Sequence, residues 1–236
     1  MLRSRREKLL FYDSIADRFD EVMNPYDLTR RLELVFGELL PQTLPPGRLL
    51  DAGCGTGWFS RVARDRGFDV VSLDIGVELL KKVREKCDSK LVAGDACALC
   101  FPDATFDVVL ATESIEHTLA PTCALGELHR VLRPGEILIV TVPNQLWHFS
   151  ATIAERFKLR PYEGFENWLG WFEIKSALRK LDAPIDTMFG FHLFPPLFAF
   201  TWPLLRKFDR YGRVLGPAML NIAVRAVRAG KVAARP

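Results

Sequence analysis

Residues Leu49–Ser60 read LLDAGCGTGWFS: an apolar run that ends in an acid, Asp51, and passes straight into glycines at alternate positions, Gly53, Gly55 and Gly57. The pattern predicts a buried strand that stops at Asp51, a sharp turn through 53–57 and a helix that begins near Trp58. Glycines so spaced let a ligand press against bare backbone, where a Cβ would block the approach. Strand-to-helix turns of this kind hold nucleotide-like cofactors at the carboxyl end of a parallel sheet. A dinucleotide turn, G-x-G-x-x-G, would need its third glycine at position 58, which is Trp58; the pattern present is D-x-G-x-G-x-G.

Further strands follow at regular intervals. Phe68–Asp74 (FDVVSLD) is a second apolar run ending in an acid, placed where a carboxylate can accept both hydroxyls of a ribose. Leu91–Asp95 (LVAGD) is a third, and Phe106–Thr112 (FDVVLAT) reads as a fully buried parallel strand. His129–Asn144 (HRVLRPGEILIVTVPN) gives a helix end, a Pro-Gly turn and a fifth strand. Helix cores are expected at Arg61–Arg66, Val77–Cys87, Pro121–Leu132 and Glu173–Leu181, with late strands near Ile185–Phe191 and Leu220–Val227. Strands and helices in alternation imply right-handed crossovers, and hence a seven-stranded α/β sheet of Rossmann-like type with helices on both faces.

Taken in this order, the landmarks resemble the class I S-adenosylmethionine-dependent methyltransferases. Asp51–Gly57 is similar to motif I of that family, in which the carboxylate and the glycine amides (Gly53, Gly55, Gly57) meet the amino-acid portion of the cofactor. The resemblance implies that Asp74, with Ile75 beside it, takes the ribose, and that Asp95, with Ala96 beside it, takes the adenine amino group. Leu132-Arg133-Pro134-Gly135 resembles the L-[KR]-P-G-G turn before strand five, with Glu136 in place of the second glycine. The family also implies that the last strand enters antiparallel. YDSIADRFDEV (12–22) resembles the Y-D-x-I-A-x-x-Y-D segment that precedes this fold and caps the cofactor; a plain packing helix is the other reading of it.

Just after strand four stands Glu113-Ser-Ile-Glu116-His117, at the sheet edge where a transferred methyl would lie. This E-x-x-E-H arrangement resembles a subset of the family that includes polyprenyl-quinone O-methyltransferases and small-RNA 3′-end methyltransferases, where the side chains can hold magnesium. Three roles stay open: Glu113, Glu116 and His117 as metal ligands; His117, with Glu116, as the base or orienting group for an acceptor hydroxyl; or a structural role, with Glu113 touching the cofactor. The N-P-P-[YF] run of amide-nitrogen methylases is missing after strand four, and Val142-Pro143-Asn144 resembles the T-P-N of quinone- and sugar-type O-methylases. The expected reaction is therefore O-methylation of a small, hydrophobic acceptor such as a quinone precursor, a polyketide-like metabolite or a lipid-linked sugar. Carbon or nitrogen methylation on the same scaffold, and a binding-only protein, are the alternatives.

Lys and Arg number 32 against 29 Asp and Glu, a net charge of +3, too small and too scattered to point to nucleic acid. The basic start MLRSRREKLL has no long apolar core or cleavage site, so no secretory signal is evident, and with cysteines read as reduced thiols a cytoplasmic protein is expected. Cys97-x-x-Cys100 lacks a second pair at zinc spacing, and the five cysteines read as reduced structural thiols. One domain, 1–236, is expected: helices at about Arg5–Phe19 and Asp27–Leu40 in a cap (1–45), a cofactor core (46–144) and two excursions, 145–172 and 192–217, that would choose the acceptor. The first is rich in aromatics: Trp147, His148, Phe149, Phe157, Tyr162, Phe165 and Trp168. His148 and Glu166 are loose candidates for additional ligands. Around the second, Met188–Leu205 carries no formal charge, but Pro195, Pro196 and Pro203 interrupt it, which argues against a membrane span. It reads either as a core strand with an apolar lid or as an interfacial patch. In the second case Arg206, Lys207, Arg210 and Arg213 would face anionic head groups in a peripheral membrane contact.

Overall fold

A computed structural model describes residues 5–156 and 164–230; Phe157 and Tyr162 of the first excursion lie outside the described residues. Seven strands, β1 (Arg48–Ala52), β2 (Asp69–Asp74), β3 (Lys90–Ala93), β4 (Phe106–Thr112), β5 (Leu132–Pro143), β6 (Ile185–Phe191) and β7 (Asn221–Val227), form one sheet in the order β3-β2-β1-β4-β5-β7-β6. The first five run parallel, and β7 lies antiparallel between β5 and β6. Around them lie α1 (Arg5–Leu9), α2 (Phe19–Val22), α3 (Pro25–Glu33), α4 (Trp58–Asp65), α5 (Val77–Lys86), α6 (Pro121–Val131), α7 (His148–Arg156), α8 (Trp171–Lys180), α9 (Trp202–Asp209) and α10 (Gly212–Leu215). Among the described residues no helix is long and apolar enough to cross a membrane.

The two-residue period of the strands explains the layers. Leu49, Val70, Val108, Leu110 and Ile139 pack with Phe59 and Ala63 of α4 and with the wide helical turn Leu34–Leu39. Their neighbours Leu50, Val71, Val109, Ala111 and Leu138 face the other way, onto α6 and α8. Apolar residues on both faces are what a parallel sheet covered on both sides demands. The Pro134-Gly135 pair does not stand ahead of β5 as a separate turn. It lies within the strand as an irregularity, where pairing with β4 jumps from Leu132–Phe106 to Ile137–Val108 and the Gly135 amide bonds Arg228 O at 2.7 Å.

The expected continuous helix over Arg5–Phe19 is broken. A 3₁₀ segment, Asp13–Arg18, separates α1 from α2, and Ile15 leaves helical geometry (φ −122°, ψ 17°). The reason is tertiary. Asp13 Oδ1 accepts the amides of Glu78 (2.7 Å) and Leu79 (3.2 Å), so a residue from the cap serves the first turn of α5. That bond satisfies donors which a helix cannot bond within itself.

Candidate active site

The loops after β1, β2, β3 and β4 converge at the carboxyl edge of the sheet, around a cavity of about 740 Å³. The cap, the first excursion and the 195–197 loop close its sides. The glycine turn forms one wall. Gly53, Gly55 and Gly57 all have positive φ (76°, 53° and 89°), a conformation that L side chains rarely adopt. Their roles differ. A Cβ on Gly53 would clash with Ser114 Cβ, and one on Gly57 would meet Val83 of α5 at 2.8 Å, so packing closes both positions, while Gly53 also borders the cavity. Around Gly55 the nearest atoms would be those of the Phe19 ring, at 3.5 Å, and its backbone borders the cavity.

Gly57 and Asp51 are not among the residues lining the cavity. Asp51 shares the sheet face of Leu49 and is fully buried under α4, where Ser60 Oγ donates to its Oδ2 at 2.6 Å. Hydroxyls continue from there, Ser60 to Ser72 at 2.6 Å and Ser72 to Ser89 at 2.7 Å. Burial pushes the Asp51 carboxyl up to about 6, against the pull of the Ser60 hydrogen bond. Asp51 thus ties β1 to α4 from beneath and, through the Ser60 hydroxyl, to Ser72 of β2.

Asp74 does line the cavity. Its Oδ2 accepts the Gly55 amide (2.9 Å) and its Oδ1 the Gly76 amide (2.8 Å), with the Ile75 amide also drawn to it, and a carboxylate has about four acceptor sites in all. Burial raises its pKa to about 6, while these amides lower it. Ile75 presents an exposed apolar side chain beside it. Asp95 and Ala96 border the same cavity past the end of β3, with Asp95 Oδ1 accepting the Cys97 amide at 2.8 Å. A bare-backbone cradle at Gly55, two carboxylates with acceptor capacity and an apolar flank between them fit an adenosyl cofactor.

Across the cavity stand Glu113, Glu116 and His117. Glu113 sits at φ 49°, its Oε2 accepting Asn221 Nδ2 at 3.1 Å. Asn221 opens β7, the strand inserted beside β5, and is brought here by topology alone. His117 Nδ1 lies 3.0 Å from Phe165 O. Because a carbonyl only accepts, this nitrogen carries a proton, and in the neutral ring the lone pair falls to Nε2. Burial raises both carboxyls, and the Glu113 charge raises Glu116 further; the Arg31 guanidinium opposes both shifts. Burial and the neighbouring Glu113 carboxyl thus both favour the protonated form of Glu116, against the pull of Arg31. The metal-ligand reading of Glu113, Glu116 and His117 finds no gathered donor set. Glu113 is turned to Asn221, His117 Nε2 is 3.8 Å from Glu116 Oε1, and among the described residues no three His, Cys, Asp or Glu side chains form a metal cluster. His148 is engaged elsewhere, its ring edge-on to Trp168.

Sequence reasoning passed over Arg31. It lines the cavity from α3, is buried, binds Asp27 Oδ2 at 2.7 Å and has an Nε with no hydrogen-bond partner among the described residues. A signal was available: Arg31 falls on the apolar stripe Leu28–Leu32–Val35, with Asp27 four residues before it. The same Asp27 bonds His192 Nε2 at 3.1 Å, and the His192 amide bonds Asp209. This chain of buried polar groups joins the cap to the second excursion. Tyr12 completes the wall, its ring edge-on to His117 at 5.1 Å.

Comparison with known proteins agrees with this geometry. Residues 50–140 match the family model described as "Methyltransferase domain". Over 109 residues the chain is 42% identical to the 2-methyl-6-phytyl-1,4-hydroquinone methyltransferase of Synechocystis sp., covering 44% of this chain and 34% of that protein. Over 185 residues it is 32% identical to the malonyl-[acyl-carrier protein] O-methyltransferase of Enterobacter lignolyticus, covering 72% of this chain and 73% of that one. The chain spans about half the length of several other curated relatives. In fold it is similar to the putative methyltransferase solved with the Trm112 methyltransferase activator of Haloferax volcanii (TM-score 0.66, 19% identity, 93% of this chain and 98% of that one). With the matched domain and a relative aligned over most of both chains, the protein belongs to the class I S-adenosylmethionine-dependent methyltransferases.

Proposed function

We propose that the protein transfers the methyl group of S-adenosylmethionine to an oxygen atom of a small, lipophilic acceptor. One observation carries the reading: a single cavity is bordered both by Gly55, Asp74 and Asp95 and by Glu116 and His117, so a cofactor and an acceptor can meet inside it. The relative named as a malonyl-[acyl-carrier protein] O-methyltransferase supports transfer to oxygen, and the one named as a 2-methyl-6-phytyl-1,4-hydroquinone methyltransferase supports a lipophilic acceptor.

The bound cofactor supplies an activated methyl group on a sulfonium, and in-line displacement then depends on alignment. The chain's own residues supply that alignment. Asp74 and Asp95 orient the nucleoside. Tyr12 and Phe19 of the cap exclude water. The Phe165 carbonyl holds the His117 proton on Nδ1, so Nε2 can accept the proton of an acceptor hydroxyl. Burial beside Glu113 favours the protonated form of Glu116, which would offer the acceptor a hydrogen-bond donor without adding charge. Val22, Ile153 and Leu197, all exposed and all lining the cavity, make its rim apolar, which suits a lipophilic acceptor.

Calorimetry with S-adenosylhomocysteine and with NADH tests the cofactor; binding of NADH alone would overturn it. Methyl-labelled S-adenosylmethionine with a panel of phenols, enols and carboxylic acids, read by NMR of the labelled methyl carbon, tests the acceptor atom. An O-methyl resonance is expected, and a C- or N-methyl product would overturn the oxygen assignment.

A further inference from the structure

The segment that follows β6 places Leu197, Phe198, Phe200 and Leu204 at 73, 59, 82 and 47% exposure within eight residues. Scattered exposed apolar side chains are ordinary, whereas a contiguous set marks a contact surface. The segment is anchored from within. Asn24 Nδ2 and Trp202 Nε1 both donate to Pro196 O (2.9 and 3.3 Å), the Tyr26 hydroxyl donates to Trp202 O (3.1 Å), and the Tyr26 ring stacks on Trp202. Phe198 and Phe200, stacked on each other at 5.6 Å, project from this fixed base.

Charge points the same way. Asp209 is the sole acid in 192–218, and it is buried against Arg30 and the His192 amide. The exposed charged side chains of the segment are Arg206, Lys207, Arg210 and Arg213, of which Arg206 is paired with Glu33. A stacked aromatic pair beside a wholly basic exposed set is the composition of a surface that seats aromatic rings at the acyl boundary and basic groups among anionic head groups. Pro195, Pro196 and Leu197 of the same segment line the cavity.

We propose that residues 197–213 dock the protein on an anionic bilayer, so that an acceptor dissolved in the lipid enters the cavity past Leu197. The lipid route of the acceptor rests on the methyltransferase reading above; the docking itself does not.

Co-sedimentation of the full chain with vesicles of phosphatidylcholine alone, and of phosphatidylcholine and phosphatidylglycerol in equal parts, tests it. The wild type should sediment with the mixed vesicles and be released by high salt. Phe198→Ser/Phe200→Ser should weaken binding about tenfold or more. Lys207→Glu/Arg210→Glu should abolish the preference for anionic vesicles. Both variants should bind S-adenosylhomocysteine as the wild type does, which shows the fold intact and reports on the cofactor reading separately. Equal sedimentation of wild type and Phe198→Ser/Phe200→Ser, or none with either vesicle, overturns the proposal. A dimer in analytical ultracentrifugation that this variant dissolves would overturn it in favour of a second copy of the chain.

Discussion

Thr56 Oγ1 donates to Asp20 Oδ1 at 2.5 Å, so the N-terminal cap closes directly on the glycine turn. The same oxygen accepts Trp58 Nε1 at 3.1 Å, and Lys86 binds the other carboxylate oxygen at 2.8 Å. Burial acts to raise the Asp20 pKa, but the hydrogen bonds from Lys86, Thr56 and Trp58 outweigh it and hold it below the usual carboxylate value. Asp20→Ala should therefore loosen the cap and weaken S-adenosylhomocysteine binding by about 1–2 kcal/mol. Calorimetry at neutral pH checks this; an unchanged affinity would reduce the cap to packing.

Asp74 supports the glycine turn as well as facing the cavity, so its replacement should cost more than contacts to a ligand. Asp74→Ala is expected to lose about 2–3 kcal/mol of S-adenosylhomocysteine affinity and to lower the melting temperature. Asp74→Asn retains a single acceptor oxygen and should lie between the two. Affinity equal to wild type in the alanine variant would confine Asp74 to structure.

Asp51 gives a pH dependence with a defined sign. Its folded pKa of about 6 lies above the ordinary value of 3.8, so between these pH values the folded state binds more protons than the unfolded chain. Its contribution to stability thus falls as pH rises from about 4 to 6, by about 2–3 kcal/mol in all. Asp51→Asn removes this titration. Chemical denaturation should show the variant gaining on the wild type between pH 4 and pH 7; a difference independent of pH would refute the assignment.

His117→Gln should lower kcat by about 10²- to 10⁴-fold while leaving S-adenosylhomocysteine affinity unchanged, since the side chain moves a proton and does not hold the nucleoside. Glu116→Gln keeps the size and hydrogen-bonding capacity of a carboxyl whose burial favours the protonated form, and should retain both the fold and most of kcat. Steady-state kinetics and calorimetry separate the two effects; a loss in Glu116→Gln as large as in His117→Gln would make Glu116 the proton carrier.

Because Glu113 is engaged by Asn221 and the His117 ring is held by Phe165 O, turnover should be indifferent to chelator and to added magnesium. Activity lost with EDTA and restored by Mg²⁺ would require these side chains to regroup.

The strands were legible because their patterns are local. FDVVLAT is short, apolar and rich in residues that favour strands, and β4 and β6 occupy the expected residues. Asp74 and Asp95 were legible because the end of a parallel strand is where the next loop meets its neighbours. The strand ends one residue past Asp51, at Ala52, and strand alternation sends the Asp51 side chain beneath α4 instead of into the cavity. The break at Ile15 was not legible, because the residue that Asp13 serves lies sixty-five positions away.

The order of strands and helices, the position of the glycine turn and the acids at the end of β2 and after β3 were determined by the sequence itself, through periodicity and the backbone freedom of glycine. Only the tertiary structure decided which side chains share the cavity. Insertion of β7 beside β5 carries Asn221 to Glu113, and folding of the cap over the sheet edge buries Arg31 beside Glu113 and Glu116. Those pairings are set by topology, across separations at which no local pattern constrains which residues meet.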